Sequence, residues 1–137
     1  MADEKTRRAP KKAVLPDNIR AEVKATADTF VKKRLKPKYA KQQSSRLQVL
    51  DIWTRWHGNA FYFCMAYAAS DPSAAAPSRE EKFARLEYVG NGLFNLSRIR
   101  YTGKWREVFT RLPLEECLEA IQEDWRFSLD EIEGRGE

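Results

Sequence analysis

The hydrophobic periodicity of this chain changes partway along it, and that change limits the fold classes open to it. In residues 19–31, apolar residues recur every three or four positions, as on one side of an α-helix. In residues 46–69 and again in 82–112, β-branched and aromatic residues follow a period of two, which is typical of strands. A helix followed by a block of strands predicts an α+β protein.

The first helix is predicted to begin at Asp17, where an Asp or Asn can cap the free N–H groups of the first turn. It is predicted to end near Leu35, because Pro37 disfavours helical geometry at the residue before it. The end of the segment is rich in cations, which the helix dipole stabilises at that position. These cations are Lys32, Lys33, Arg34 and Lys36.

Five strands are predicted at residues 46–56, 60–69, 82–89, 93–101 and 105–112. The turns at Gly58 and Gly90 are short, so the strands that they join should be antiparallel. After Pro113, a short amphipathic helix is predicted, with Leu118 on its apolar side. We therefore expect a single antiparallel sheet of about five strands, with the N-terminal helix and the short C-terminal helix packed on one face.

The 137 residues have room for one domain. Residues 1–15 mix cations with Ala and Pro without any apolar period, which predicts a flexible basic arm. Residues 16–128 are expected to form the domain, and residues 129–137 an acidic, frayed tail.

The net charge of +5 is unevenly distributed. Residues 1–46 contain 14 Lys and Arg against 5 Asp and Glu, whereas residues 47–137 contain 11 against 15. The positive charge therefore belongs to the arm and the first helix, and such asymmetry indicates an anionic partner.

Residue types that carry catalysis are sparse. His57 is the only histidine and lies in a predicted turn, while Cys64 and Cys117 lie in apolar patterns, where a buried thiol is inert. The chain has no phosphate-binding glycine loop, zinc spacing or nucleophile elbow. We therefore expect a protein that is not an enzyme and needs no cofactor or metal. A small enzyme in this chain would have to assemble scattered polar residues in a pocket between sheet and helices.

Aromatic and cationic residues alternate in the predicted sheet. Trp53, Arg55 and Trp56 occur in the first strand, and Arg98, Arg100, Tyr101, Trp105 and Arg106 occur near the last turn. On an uncovered sheet face, such rings could stack on bases and the guanidinium groups could hold phosphates. The alternative is that the tryptophans belong to the core and the arginines to a solvated face. Period two places Trp53 and Arg55 on one face and Trp56 on the other.

These patterns predict a small non-enzymatic accessory protein that binds RNA or DNA, or a nucleoprotein assembly, through its basic arm and helix. The candidate contact residues are Arg7, Arg8, Lys11, Lys12, Lys32, Lys33, Arg34, Lys36, Arg55, Arg98 and Arg100. The alternative is a protein–protein interaction module or homodimer that uses an exposed aromatic sheet face or a strand edge.

The expected location is cytoplasmic. The two cysteines do not form a disulfide framework, and the first thirty residues lack the apolar run of a signal peptide. No apolar stretch approaches the roughly 18 residues of a membrane span, so no membrane contact is expected.

Overall fold

The computed structural model describes residues 14–41, 47–69, 78–100, 103–128 and 131–132. The helical elements before the sheet are α1 (Asp17–Phe30), a π-helical turn (Val31–Leu35) and α2 (Lys36–Lys41). The strands are β1 (Leu47–His57), β2 (Ala60–Ala69), β3 (Arg79–Gly90), β4 (Leu93–Ile99) and β5 (Trp105–Pro113). They are followed by α3 (Leu114–Glu123) and a short 3₁₀ helix (Trp125–Phe127).

The N-terminal helix continues past the end predicted for it. Lys36 has helical φ and ψ of −60° and −45°, and its N–H donates to the carbonyl of Val31, five residues earlier. A proline ring inside a regular α-helix clashes with the carbonyl four residues before it, and the wider π-helical turn before Pro37 relieves that clash. The prediction that the helix ends near Leu35 was therefore wrong.

The five strands form one sheet in the order β1-β2-β3-β4-β5, and every neighbouring pair is antiparallel. Tight turns join β1 to β2 and β3 to β4, and the positive φ of Gly58 (62°) is one that glycine adopts without strain. This arrangement confirms the predicted α+β fold with one antiparallel five-stranded sheet.

The helices pack on one face of the sheet, which we call the covered face. The largest fully buried side chains in the sheet include Phe61, Phe63 and Met65 of β2, which alternate with residues of the opposite face. Leu86 and Leu96 continue this core across β3 and β4. The N-terminal helical segment contributes Val23, Leu35 and Tyr39 to this core, and α3 contributes Cys117, Leu118 and Ile121.

Helix α1 is fixed along β1 by polar contacts. Lys24 Nζ donates to the backbone oxygen and to Oγ1 of Thr54 at 2.9 Å each, and Thr54 Oγ1 donates to Asp28. Trp56 Nε1 donates to the carbonyl of Arg20 at 3.1 Å. Trp56 therefore belongs to the covered face, as period two predicted.

The described segments contain no helix that is both long and apolar enough to span a membrane.

Candidate functional site

The face of the sheet that points away from the helices, which we call the open face, carries a continuous row of functional side chains. Five residues occupy matching positions on the five strands. They are Arg55 on β1, Tyr62 on β2, Arg85 on β3, Ser97 on β4 and Glu107 on β5. Each neighbours the next across the sheet, so one row holds two guanidinium groups, an aromatic ring, a hydroxyl and a carboxylate.

Two aromatic rings meet above this row. The centroids of Tyr62 and Trp105 are 5.7 Å apart, with the rings tilted at 52°. Because β2 and β5 are separated by two strands, these side chains must lean toward each other across the open face. The result is an aromatic pair at the centre of a sheet face that no described helix covers.

A cation lies against each ring of this pair. Lys82 Nζ is 4.6 Å from the centroid of Tyr62, and the guanidinium carbon of Arg85 is 4.9 Å from that of Trp105. Such cation–π contacts stabilise a charge beside a half-buried ring by about 0.5–2 kcal/mol. Arg85 also approaches Glu87, with 3.6 Å between a guanidinium nitrogen and a carboxylate oxygen.

A bulge in β3 places these two cations on the same face. The register shifts between Phe63 and Cys64, so that Phe63 faces Ala84 while Cys64 faces Lys82. Phe83 is the extra residue, and both Phe83 and Ala84 are buried. Lys82 and Arg85 consequently share the open face although they are three residues apart.

Beside the aromatic pair is a shallow depression of about 160 Å³. It is lined by Trp53, Arg55, Cys64, Glu80, Glu81 and Lys82. Cys64 is buried at its base, and burial raises the pKa of its thiol despite the nearby cations Arg55 and Lys82. A neutral thiol adds apolar surface to the depression and does not act as a nucleophile.

Two polar atoms on the open face are buried and lack a hydrogen-bond partner among the described residues. They are Oγ of Ser97, a residue that is only 1% exposed, and Nε of Arg85. The two residues are direct cross-strand neighbours. An unsatisfied buried polar group costs about 1–3 kcal/mol, so the fold keeps these two groups at a loss of stability.

The cationic helix end, which we define as Lys32, Lys33, Arg34, Lys36 and Lys41, is exposed. Lys36 Nζ forms an ion pair with Asp51 of β1 at 3.1 Å. Within the described part of the chain, the other four cations have no carboxylate partner. These cations belong to the helical layer that packs over β1, because α1, the π-helical turn and α2 all contact that strand.

Not all of the arginines predicted from the sequence share the open face. Arg55 lies on it, but Arg98 lies on the covered face, where it pairs with Glu131 at 3.2 Å. Arg98 also lies 5.8 Å from the ring of Trp125. Arg100 is at the turn between β4 and β5, where its N–H donates to the carbonyl of Lys104.

Residues Arg7, Arg8, Lys11 and Lys12, predicted to make contacts through the arm, are outside the described residues, as is Tyr101. Sequence reasoning did not single out Tyr62, Lys82, Arg85 or Ser97. The signal that could have located Tyr62 is its alternation with Phe61 and Phe63. No period in the sequence reveals Lys82 and Arg85 as a pair, because the bulge interrupts the alternation between them.

Comparisons with known proteins give the chain a family. The search of curated proteins found no match, and the search of solved structures found none either. The model of the family described as Domain of unknown function (DUF3024) matches residues 15–127, which include every described element from α1 to the 3₁₀ helix. The chain therefore belongs to the DUF3024 family.

Proposed function

We propose that this protein is a non-enzymatic accessory protein that binds single-stranded nucleic acid across the open face of its sheet. The observation that carries the proposal is the contact between Tyr62 and Trp105, with Lys82 and Arg85 against the two rings. Proteins that bind single strands combine aromatic rings, on which bases stack, with cations that follow the phosphates. Single strands suit this face because their bases are free to stack.

The charges around the open face favour one path for the backbone. Trp53, Cys64 and Lys82 are a row of cross-strand neighbours, and with Arg55 they line a depression that Glu80 and Glu81 border on its β3 side. Arg55, one step along β1, is exposed. A strand that leaves the aromatic pair by this row reaches the β1 edge of the sheet.

Beyond the β1 edge lies the cationic helix end. Because Lys32, Lys33, Arg34 and Lys41 have no carboxylate partner within the described residues, they are available for phosphate contacts. Each phosphate that a protein neutralises releases counterions, which makes the affinity depend on salt. We assign stacking to the open face and most of the salt-dependent affinity to the helix end.

The side of α3 is unsuited to the same ligand. A groove of about 600 Å³ between β5 and α3 is lined by Glu116, Glu119, Glu123 and Asp124 together with apolar side chains. Phosphates would be repelled there. The carboxylates beside α3 therefore favour the open face and the β1 edge as the path of a nucleic acid.

A second candidate function, binding to another protein, is favoured by Trp125. Its side chain is 63% exposed and lies 5.8 Å from the guanidinium carbons of both Arg98 and Arg126. Exposed Trp and Arg residues often dominate the binding energy of protein interfaces. A mass that increases with concentration, and that returns to the monomer value in Trp125→Ala, would support this function.

The proposal is tested by titrating a labelled single-stranded oligonucleotide with the wild type and with Trp105→Leu. Leucine keeps apolar cover but removes the ring, and the loss of one base–aromatic stack costs about 1–3 kcal/mol, roughly 5- to 150-fold in affinity. The matched control is Trp125→Leu, which should bind like the wild type. Equal binding by Trp105→Leu and the wild type, at equal melting temperature, would refute stacking on the open face.

A salt series separates the two parts of the proposed surface. Replacing Lys32, Lys33, Arg34 and Lys41 by Gln should reduce the slope of log affinity against log salt by roughly 0.7 for each lost phosphate contact. Trp105→Leu should lower the affinity at every salt concentration and leave the slope unchanged. Identical slopes for the Gln variant and the wild type would remove the helix end from the surface.

A further inference from the structure

The open face contains a pair of groups that its own residues leave unsatisfied. Ser97 Oγ and Arg85 Nε are buried, are direct cross-strand neighbours and have no hydrogen-bond partner among the described residues. Leu96, the neighbour of Ser97 in sequence, belongs to the core, so Ser97 points to the open face. Ser97 is only 1% exposed, so a ligand reaches its hydroxyl only when neighbouring groups shift.

The aromatic ring against Arg85 is held by contacts that a ligand can replace. Trp105 is half-buried and is held by its contacts with Tyr62 and the guanidinium of Arg85. A planar ligand that inserts beside these rings exchanges one stacking contact for another. It also reaches two polar groups that have no hydrogen bond to lose, because neither has a partner among the described residues.

The hydrogen-bonding character of the two groups selects the ligand. Nε of Arg85 can only donate, whereas the Ser97 hydroxyl can donate or accept. Glu87 and Glu107 flank the two groups on the open face, so a phosphate at this point would be repelled. A neutral, planar ligand with a strong acceptor next to a second polar group fits the site best.

We infer that Arg85 and Ser97 form a subsite for a purine base, which they contact through its N7 edge. Arginine donates well to N7, and the Ser97 hydroxyl can donate to O6 of guanine or accept from N6 of adenine. Pyrimidines lack N7 and have a smaller ring to stack on Tyr62 and Trp105, although their carbonyl oxygens can also accept from Arg85. This inference rests on the proposed function and adds a base preference to it.

Oligonucleotides that differ at one base test the subsite directly. The probes are three thymine-rich DNA strands, each about nine nucleotides long, since folds that bind single strands cover roughly 4–16 nucleotides. One contains thymine throughout, one has a single central adenine, and one has a single central 7-deaza-adenine. With the full chain, we expect the adenine strand to bind about fivefold or more tightly than the other two.

The protein variant for this test is Ser97→Ala. It should abolish most of the adenine preference while its melting temperature stays equal to that of the wild type or rises, because alanine removes an unsatisfied buried hydroxyl. Thr110→Ala, which removes an exposed hydroxyl from β5, is the matched control and should keep the preference.

The outcomes distinguish this inference from the proposal on which it rests. Equal binding of all three strands by the wild type would overturn the purine subsite and leave the nucleic-acid function standing. Retention of the full adenine preference by Ser97→Ala would also overturn it. Failure of the wild type to bind any strand at about 50 mM salt would overturn both.

Discussion

At the covered face, single apolar side chains connect the helices to the sheet. Leu118 of α3 is 6% exposed and belongs to the same core cluster as Leu86 and Leu96 of the sheet. All three, together with Phe63 and Ile121, are buried. The helix α3 is only ten residues long, so it depends on this packing more than on its intrinsic helix propensity.

Leu118→Ala should lower the free energy of unfolding by about 2–5 kcal/mol, because it removes buried methyl groups and leaves a cavity. Leu50, which is 51% exposed at the irregularity in β1, provides the control, and Leu50→Ala should change stability by less than about 0.5 kcal/mol. Urea denaturation of both variants measures the difference. Equal loss of stability in the two variants would contradict the placement of α3 in the core.

The residues of the core could be predicted from the sequence, but those of the open face could be predicted only in part. Core positions in β2 follow strict alternation, because Phe61, Phe63 and Met65 are two residues apart in sequence and are all buried on one face. Lys82 and Arg85 were not predicted because Phe83 and Ala84 both turn inward at a bulge. A bulge depends on pairing with the neighbouring strand, and the sequence of β3 alone does not contain that information.

At the scale of elements, Lys38 joins the end of the N-terminal helix to the C-terminal segment. Its Nζ donates to the carbonyl of Ile121 at 2.9 Å, and burial lowers the pKa of its ammonium to about 8. The hydroxyl of the next residue, Tyr39, donates to the carbonyl of Phe127 at 2.5 Å. Both bonds depend on the helix continuing past Leu35, and the sequence rule for residues before proline did not predict that continuation.

The lowered pKa of Lys38 predicts how stability changes with pH. Between about pH 8 and the ordinary value of 10.5, the unfolded chain binds more protons at this residue than the folded chain does. The free energy of unfolding that Lys38 contributes should therefore rise with pH across this window. Lys38→Met keeps the apolar stem and removes the titration.

Comparison of the wild type with Lys38→Met isolates this effect. Burial raises the pKa of Cys117 to about 12 and the pKa of Tyr39 well above its ordinary value, so these groups reduce stability at alkaline pH in both proteins. In the difference between the two proteins, those contributions cancel. Urea denaturation at several pH values should show that the free energy of unfolding of the wild type increases relative to that of the variant between about pH 8 and 10.5. Parallel profiles would show that Lys38 does not titrate in this window.

For the whole molecule, charge and shape divide the surface into two regions. The N-terminal helix ends in a segment with six cations and no carboxylate, whereas α3 carries Glu115, Glu116, Glu119 and Glu123. The aromatic pair lies on the open face, whereas the acidic groove is bounded by α3, which packs on the covered face. The uneven charge was visible in the sequence, but which face held the rings depended on the register of all five strands.

The most direct test of binding across the open face is to map which residues of the full chain contact a bound single-stranded nucleic acid. Ultraviolet crosslinking of a photoreactive oligonucleotide, followed by mass spectrometry of the crosslinked peptides, identifies the residues in contact with bases. We expect crosslinks in β2 and β5, at Tyr62 and Trp105, and their loss from β5 in Trp105→Leu. Crosslinks confined to Trp125 and α3, or to residues 31–41 without any in the sheet, would contradict binding across the open face.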